Sequence, residues 1–273
     1  MIDLHCHMLP GIDDGATDMD TALKMAQMAV EDGIRYSVCT PHIYPGMYEN
    51  TADGIRTAVI AYKQALKKAN IPLKLGYGAD THLIPDLVTD IKNGRIPTIN
   101  GTRYFLFEPP HHVSPPRFCE SVFNTIVAGY VPLITHPERL TWIEDHYDQF
   151  IEVAKQGAWI QLTSGSLVGR FGKRARYWSE RFLDEGIVHV LATDAHDLHY
   201  RRPWLAEGHD AAAAWMGEEE ADRMVTERPA AILKDLDPGQ VAEPPGLSKP
   251  YHSGYTPPPT EHKGWLKRLL QAI

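Results

Sequence analysis

The stretch Met1-Ile2-Asp3-Leu4-His5-Cys6-His7-Met8-Leu9-Pro10-Gly11-Ile12-Asp13-Asp14-Gly15 sets the reading of the whole chain. Met1 to Cys6 is a strand-like run, and Pro10 to Gly15 is dense in turn formers. A helix pattern follows, with Ala22, Met25, Ala26, Ala29 and Val30 at i, i+3, i+4, i+7 and i+8. Thr17 or Asp18 can cap that helix, and Gly33 can end it.

The same unit recurs outward from this start. Strand-like runs follow at Ile34 to Thr40, Pro72 to Ala79, Tyr104 to Phe107, Val131 to Thr135, Ala158 to Leu162 and Ile187 to Thr193. Between them lie helical stretches at Ala52 to Ala69 and Asp86 to Lys92, around Phe118, Val122 and Ile126, around Phe150, Val153 and Ala154, and from Ala175 to Glu185. Strand ends about thirty residues apart match the size of one βα unit, and strict alternation implies parallel strands with helices outside. Seven units rather than eight predict a distorted or incomplete barrel. An open doubly wound sheet is the alternative, and it explains less well why every strand end should carry polar residues.

At 273 residues the chain has room for one or two domains, and 43 % apolar with 23 % charged residues is ordinary globular usage. The barrel is expected over residues 1–236. Residues 237–261 hold seven prolines and three glycines, the composition of a flexible tail. Residues 262–273 read as a short amphipathic helix, with Trp265, Leu266, Leu269, Leu270 and Ile273 on one face. Such a face can dock on a partner or a membrane surface, or pack back on the barrel.

A net charge of −8 disfavours nucleic acid as a partner. No apolar run approaches the ~20 residues of a membrane span, and no basic start followed by an apolar stretch suggests a secretory signal. Three scattered cysteines, Cys6, Cys39 and Cys119, do not form a disulfide framework, so cytoplasm is the expected compartment. The oligomeric state is left open.

Chemistry is concentrated at the strand ends, where a barrel of this kind builds its site. His5 and His7 are i and i+2 on a strand, so both imidazoles face one way and Cys6 the other. Asp194 and His196 repeat that spacing after the last strand. His42, Asp80, Glu108 and His136 stand at the ends between them, and Asp14 lies in the first loop. Nine such groups exceed one tetrahedral site and suit two or three divalent cations sharing carboxylates. Imidazole with carboxylate accepts Mn, Fe, Zn or Co. Arg139, three residues past His136, and Arg201, five past His196, offer the forked donors that bind phosphate. No cysteine has an arginine six residues on, and neither a Gly-x-Ser-x-Gly elbow nor a His-Glu-x-x-His helix is present.

Asp3-Leu4-His5-Cys6-His7, the Leu-Pro-Gly-Ile-Asp-Asp-Gly turn, Thr40-Pro41-His42, His136-Pro137-Glu138-Arg139 and Thr193-Asp194-Ala195-His196 resemble the polymerase-and-histidinol-phosphatase (PHP) superfamily. Within it they resemble the bacterial metal-dependent protein-tyrosine phosphatases of the capsular-polysaccharide CpsB/CapC type. The resemblance covers about residues 1–235. It implies a PHP-type (β/α)7 barrel with a trinuclear site, most often supplied with Mn2+. The matching ligands are His5, His7, Asp14, His42, Asp80, Glu108, His136, Asp194 and His196, with Arg139 and Arg201 as phosphate-binding arginines. At the third strand the family usually shows Gly-x-Glu where this chain has Gly78-Ala79-Asp80, a carboxylate one methylene shorter. The loop after His42 usually carries an arginine near Gly-x-Tyr, and here it reads Gly46-Met47-Tyr48.

The expected reaction is hydrolysis of phosphotyrosine by a hydroxide bridging the metals, attacking phosphorus in line with the phenolate, with no phospho-enzyme. Arg139 and Arg201 would hold the equatorial oxygens, His42 or His196 would help protonate the leaving oxygen, and Tyr44 and Tyr48 would wall the phenyl ring. By resemblance the substrate is a bacterial tyrosine kinase of exopolysaccharide or capsule synthesis. The alternative is a small-molecule phosphomonoesterase such as a histidinol-phosphatase.

Overall fold

The computed structural model describes residues 1–248 of the chain. The helix read over 262–273, and the second half of the tail, lie outside these residues. The strands are β1 (Ile2–Cys6), β2 (Tyr36–Cys39), β3 (His42–Ile43), β4 (Lys74–Tyr77), β5 (Asp80–His82), β6 (Tyr104–Glu108), β7 (Val131–Thr135), β8 (Trp159–Thr163) and β9 (Val188–Ala192). All named pairings are parallel, in the orders β1-β2-β4 and β3-β5-β6-β7-β8-β9.

These nine strands make seven staves, because the second and third staves are each broken once. Pro41 has no N–H to extend the ladder beyond β2, and Gly78-Ala79 interrupts β4 from β5. The two sheets separate at these breaks. The ring closes through the ends of the first and last staves: His7 N–H donates to Ala195 O (2.8 Å) and Asp194 N–H to His5 O (2.9 Å). The buried Asp3 carboxylate locks the same seam, accepting from the Thr193 N–H (3.0 Å) and hydroxyl (2.6 Å). The structure is the distorted (β/α)7 barrel, not the open sheet.

The helices that the periodicity predicts are present. Helix α1 (Met19–Glu31) buries Ala22, Met25, Ala26 and Ala29, and Asp18 caps it by accepting from Thr21 N–H. Helix α2 (Ala52–Lys68) is capped by Thr51. Then come α3 (Leu87–Lys92), α4 (Phe118–Val127), α5 (Ile143–Lys155), the short α6 (Ser164–Leu167) and α7 (Gly172–Glu185). Between β9 and residue 237, where no element is read from sequence, lie α8 (Ala206–Met216), α9 (Glu218–Asp222), a π-turn over Arg223–Glu227 and α10 (Arg228–Leu233).

Strand alternation divides the side chains into two cores. Phe105, Phe107, Ile134 and Ile160 point outward to the helices. Leu4, Val38, Tyr104, Leu106, Val131, Leu133, Trp159 and Val190 fill the lower barrel, with Ile232 of α10 among them. Continuing that alternation by two residues past Leu106 puts Glu108 on the inner face at the top.

The tail boundary is drawn too early from composition. Residues 237–248 are laid on the barrel, ending in a short turn of helix, α11 (Pro245–Ser248). Arg103 pairs with Asp235 (3.1 Å) and Asp237 (2.9 Å), and buried Arg228 donates to Ala242 O (2.8 Å). Gly246 N–H donates to Gly186 O (2.9 Å). Backbone polar groups and side chains of the barrel hold this Pro-rich segment, an anchoring that its composition cannot express.

Candidate metal centre

The C-terminal mouth of the barrel gathers all nine predicted ligands. His5 Nε2 lies 3.2 Å from His7 Nε2, and 3.3 Å from both Asp80 Oδ2 and Asp194 Oδ1. His7 Nε2 is 3.5 Å from Asp194 Oδ1. His42 Nδ1 lies 3.6 Å from Asp80 Oδ2 and 3.4 Å from Glu108 Oε2. Asp14 Oδ1 stands 3.5 Å from His42 Nε2 and 3.4 Å from His196 Nε2. His136 Nε2 is 3.9 Å from both Asp80 Oδ2 and Glu108 Oε1.

Most of these gaps are longer than good hydrogen bonds, which run from about 2.7 to 3.2 Å. They suit donors sharing a cation, since ligands at about 2.1 Å in tetrahedral array sit roughly 3.4 Å apart. Three sets converge: His7, Asp14, His42 and His196; His5, His7 and Asp80; and His42, Asp80 and Glu108. Shared members make the sets contiguous, as a multinuclear site requires.

The fit to cations rests on orphaned atoms. Both Asp80 oxygens, Asp194 Oδ1, His42 Nδ1, His136 Nδ1 and His196 Nε2 are buried with no hydrogen-bond partner. Buried polar atoms in folded proteins are almost always paired, and an unpaired carboxylate is costly. Five of the six face the cluster and are explained by a cation that completes them; His136 turns Nε2 rather than the orphaned Nδ1 toward Asp80 and Glu108. Asp80, although one methylene short, reaches the middle of the cluster between His5, His42 and His136.

Charge has shaped the titration of the cluster. Burial lowers the His5 pKa, but Asp80 and Asp194 outweigh it and bring it up to about 9. For His42, burial is likewise overcome by Glu108, Asp80 and Asp14, raising it to about 10. His7 moves the other way, to about 3, under burial and the neighbouring His196 and His42. Asp194 is held well below the carboxylate range, against burial, by Arg201, His5 and Arg139.

Backbone geometry serves the same end. His136 (φ 35°) and Asp194 (φ 50°) adopt the left-handed region, which is uncommon without glycine and concentrates at functional sites. In the first turn, a Cβ on Gly15 would sit 1.9 Å from His7 O, so only glycine lets the chain fold back over His7.

Several residues outside the predicted ligands orient them. His7 Nδ1 pairs with Asp13 Oδ2 at 2.7 Å, which leaves Nε2 toward the cluster. The same carboxylate accepts from the N–H groups of His42 (3.2 Å) and Gly15 (3.0 Å). Gln161 Oε1 meets His5 Nδ1 at 2.8 Å, and Asp194 O meets His196 Nδ1 at 2.9 Å. His82 Nδ1 lies 3.2 Å from Glu108 Oε2. The sequence offered one clue to Asp13, an acid beside a candidate ligand in a Gly-ended turn. Gln161 and His82 carried no signal at all.

Arg139 and Arg201 converge on one atom. Arg139 Nη1 and Arg201 Nη2 both donate to Asp194 Oδ2, the latter at 2.6 Å, while Asp194 Oδ1 faces the histidines. Arg139 is therefore paired with a candidate ligand rather than with a loop acid, and its guanidinium lies over the Phe171 ring at 4.3 Å. Glu138, next to it, is fully buried and accepts from Thr163 N–H (3.0 Å) and Ser166 Oγ (2.7 Å), fixing the turn that carries Arg139.

A cleft of about 570 Å³ opens beside the cluster, lined on its floor by Asp14, His42 and Glu108. Tyr48 stacks on His42 (5.6 Å) and Tyr44 on His82 (4.0 Å), so both predicted tyrosines wall it. His111 and His112 line the opposite side and take no part in the three converging ligand sets. Arg139 and Arg201 do not line this cleft; they flank the cluster at Asp194.

Comparisons with known proteins agree with this geometry. Tyrosine-protein phosphatase YwqE of Bacillus subtilis (strain 168) is 35 % identical over 237 residues, which cover 86 % of this chain and 92 % of that protein. Tyrosine-protein phosphatase CpsB of Streptococcus agalactiae serotype V is 30 % identical over 244 residues, covering 86 % of this chain and 99 % of that one. The structure superposes with a TM-score of 0.85 and 31 % identity on a solved structure from work on YwqE of B. subtilis and CpsB of Streptococcus pneumoniae, described there as unique metal-dependent tyrosine phosphatases. That match covers 94 % of this chain and all of the other. Dihydropyrimidinase from Brevibacillus agri, at 12 % identity and a TM-score of 0.51, shares the fold alone. The model of the family "Capsular polysaccharide synthesis, CpsB/CapC" matches residues 1–234, and the chain belongs to that family.

Proposed function

We propose that this protein is a cation-dependent protein-tyrosine phosphatase. The observation that carries the reading is the cluster of orphaned buried imidazole and carboxylate atoms at the barrel mouth, with two guanidinium groups beside it. His5, His7, Asp14, His42, Asp80, Glu108, His136, Asp194 and His196 would hold two or three cations, with Mn2+ as the first candidate. Bound cations supply Lewis-acid neutralisation of phosphate and a water ionised near neutral pH.

The remaining chemistry belongs to the chain. Arg139 and Arg201 bind the phosphoryl oxygens as forked donors, since Asp194 holds both heads side by side at the cluster's edge. Tyr48 and Tyr44 present faces against which a phenyl ring stacks. His42, less deeply buried than His5 or His7 and lining the cleft, would give a proton to the phenolate where it is left off the cations, since a ring nitrogen that ligates a cation carries no proton. Among the described residues no cysteine is positioned as a nucleophile: Cys6 and Cys39 are buried, and Cys119 lies on α4 beside Glu152. The protein substrate fits a phosphorylated kinase of capsule or exopolysaccharide assembly, acting in the cytoplasm.

The test is phosphate release by chelator-stripped protein before and after Mn2+ is returned. A phosphotyrosine peptide, a matched phosphoserine peptide and histidinol phosphate are compared. Restored hydrolysis of the phosphotyrosine peptide alone is expected. Preference for histidinol phosphate would overturn the substrate class, and metal-independent release would overturn the mechanism.

A further inference from the structure

We propose that Met47 and Val113 form an apolar mouth to the cleft, which selects phosphotyrosine sites flanked by an apolar residue. This rests on the phosphatase reading and adds a choice among protein substrates. Met47 is 63 % exposed and Val113 67 % exposed, and both line the cleft whose floor holds Asp14, His42 and Glu108. Two large apolar side chains left in water at the rim of one polar cleft gain by being covered when a chain is bound across it.

Both are held on rigid supports. Met47 sits at the tip of a tight hairpin, in which Tyr44 N–H donates to Tyr48 O (3.0 Å) and Tyr48 N–H to Tyr44 O (2.8 Å). Glu49 accepts from Gly46 N–H at 2.6 Å, and the hairpin's tyrosines rest on His42 and His82. Val113 follows a loop tied down by Trp142 Nε1–H to Pro110 O (2.8 Å) and Thr141 N–H to His111 O (3.0 Å). A preordered surface loses little entropy on binding.

Charge points the same way. No lysine or arginine lines this cleft among the described residues, so an acidic flanking residue at the rim finds no cationic side chain to pair with. Aromatic faces, Pro110, Met47 and Val113 offer contact to an aliphatic or aromatic flank instead.

The experiment uses the full-length Mn2+-loaded protein and two phosphotyrosine peptides that differ only in Leu or Asp flanking the phosphotyrosine. kcat/KM is measured for both, and Kd for the same pair built with a non-hydrolysable phosphonate. The Leu peptide is expected to be favoured about tenfold, of the order one well-covered aliphatic contact supplies. In the double variant Met47→Ser with Val113→Ser the ratio should fall to about one, and Met47→Arg should shift it toward the Asp peptide. General damage to the site would lower both values and leave the ratio in place. Equal values for the two peptides in the wild-type protein, or an unchanged ratio in the double variant, overturns the mouth. Absence of hydrolysis with a preserved Kd preference overturns the phosphatase reading and leaves the mouth standing.

Discussion

The two ends of this barrel are made by the same strands and obey opposite rules. At the lower end Leu106, Leu133, Val190 and Ile232 pack without polar atoms, and Tyr104 Oη–H donates to Leu236 O at 2.7 Å. Arg228, fully buried there, is matched by Glu220 at 2.7 Å and by Ala242 O. At the upper end the same inner face carries Glu108, Asp80 and His5, and polar atoms are left without partners. The lower end needs no bound group, because its buried charge is neutralised by its own partner, although Arg228 Nη2 and Glu220 Oε1 lack a hydrogen bond. The upper end is complete only with something bound, and strained backbone at His136 and Asp194 accompanies it.

The contrast can be broken most severely at Asp80. Asp80→Asn should lower phosphotyrosine hydrolysis by about a thousandfold or more, roughly 4 kcal/mol of transition-state stabilisation. It should also abolish most of the rise in Tm that Mn2+ gives the wild-type protein. Metal-free Tm near neutral pH should fall modestly, because the Asp80 charge helps hold His5 and His42 in their charged forms in that fold. Steady-state kinetics and thermal melts with and without chelator measure both, and retained activity would remove Asp80 from the centre.

The mirror experiment is Leu133→Ala in the lower core. Leu133 is fully buried, so the change should cost about 2–5 kcal/mol of stability. Activity per folded molecule should hold. Urea unfolding compared with active-site titration decides it, and a large loss of kcat at unchanged stability would show that the two ends are not separable.

A smaller effect sharpens the boundary between holding a cation and orienting its ligand. Asp13→Asn keeps the shape but weakens the anchor on His7 Nδ1, and should cost about 10–100-fold in Mn2+ affinity. Calorimetry on the stripped protein reads this directly. Affinity equal to wild type would reduce Asp13 to a turn former.

The mildest test is protonic. His5 and His42 have pKa values raised to about 9 and 10 in the metal-free fold, from an ordinary 6.5. Their charged forms therefore stabilise that fold fully below about pH 6.5, and the contribution is lost as pH rises through 9 to 10. Cations need the neutral imidazoles, so binding near pH 7 must expel protons and strengthen as pH rises. One to two protons should be released per site filled, seen as a buffer-dependent binding enthalpy. Affinity that ignores pH between 7 and 9 would contradict the charge state of these histidines.

Much of the upper end was legible in the chain because every ligand but Asp14 lies at or just past the end of a strand. His5 and His7 share a face by strand geometry alone, and the fixed polarity of βα units sends every strand end to one rim. The partners of those ligands were not legible. Gln161 orients His5 from 156 positions away, and Asp13 rather than Asp14 turns inward to His7 only because Gly15 lets the loop fold back. Pro41 read as the end of a strand and Gly78 as the interior of the run Pro72 to Ala79, whereas the fold uses both to split the sheet between two staves. Helices α8 to α10 were missed because their register is set by docking against the barrel, not by a clean apolar stripe.

By itself the sequence determined the alternation of strands and helices, the parallel barrel and the rim on which its imidazoles and carboxylates gather. These follow from local periodicity, which needs no distant contact. Only the tertiary structure decided which acid orients and which is left free, that both arginines meet on Asp194, and that residues 237–248 are laid on the barrel. Each of those depends on groups brought together by ring closure, and a chain read residue by residue carries no record of which distant atoms the closure will bring within reach.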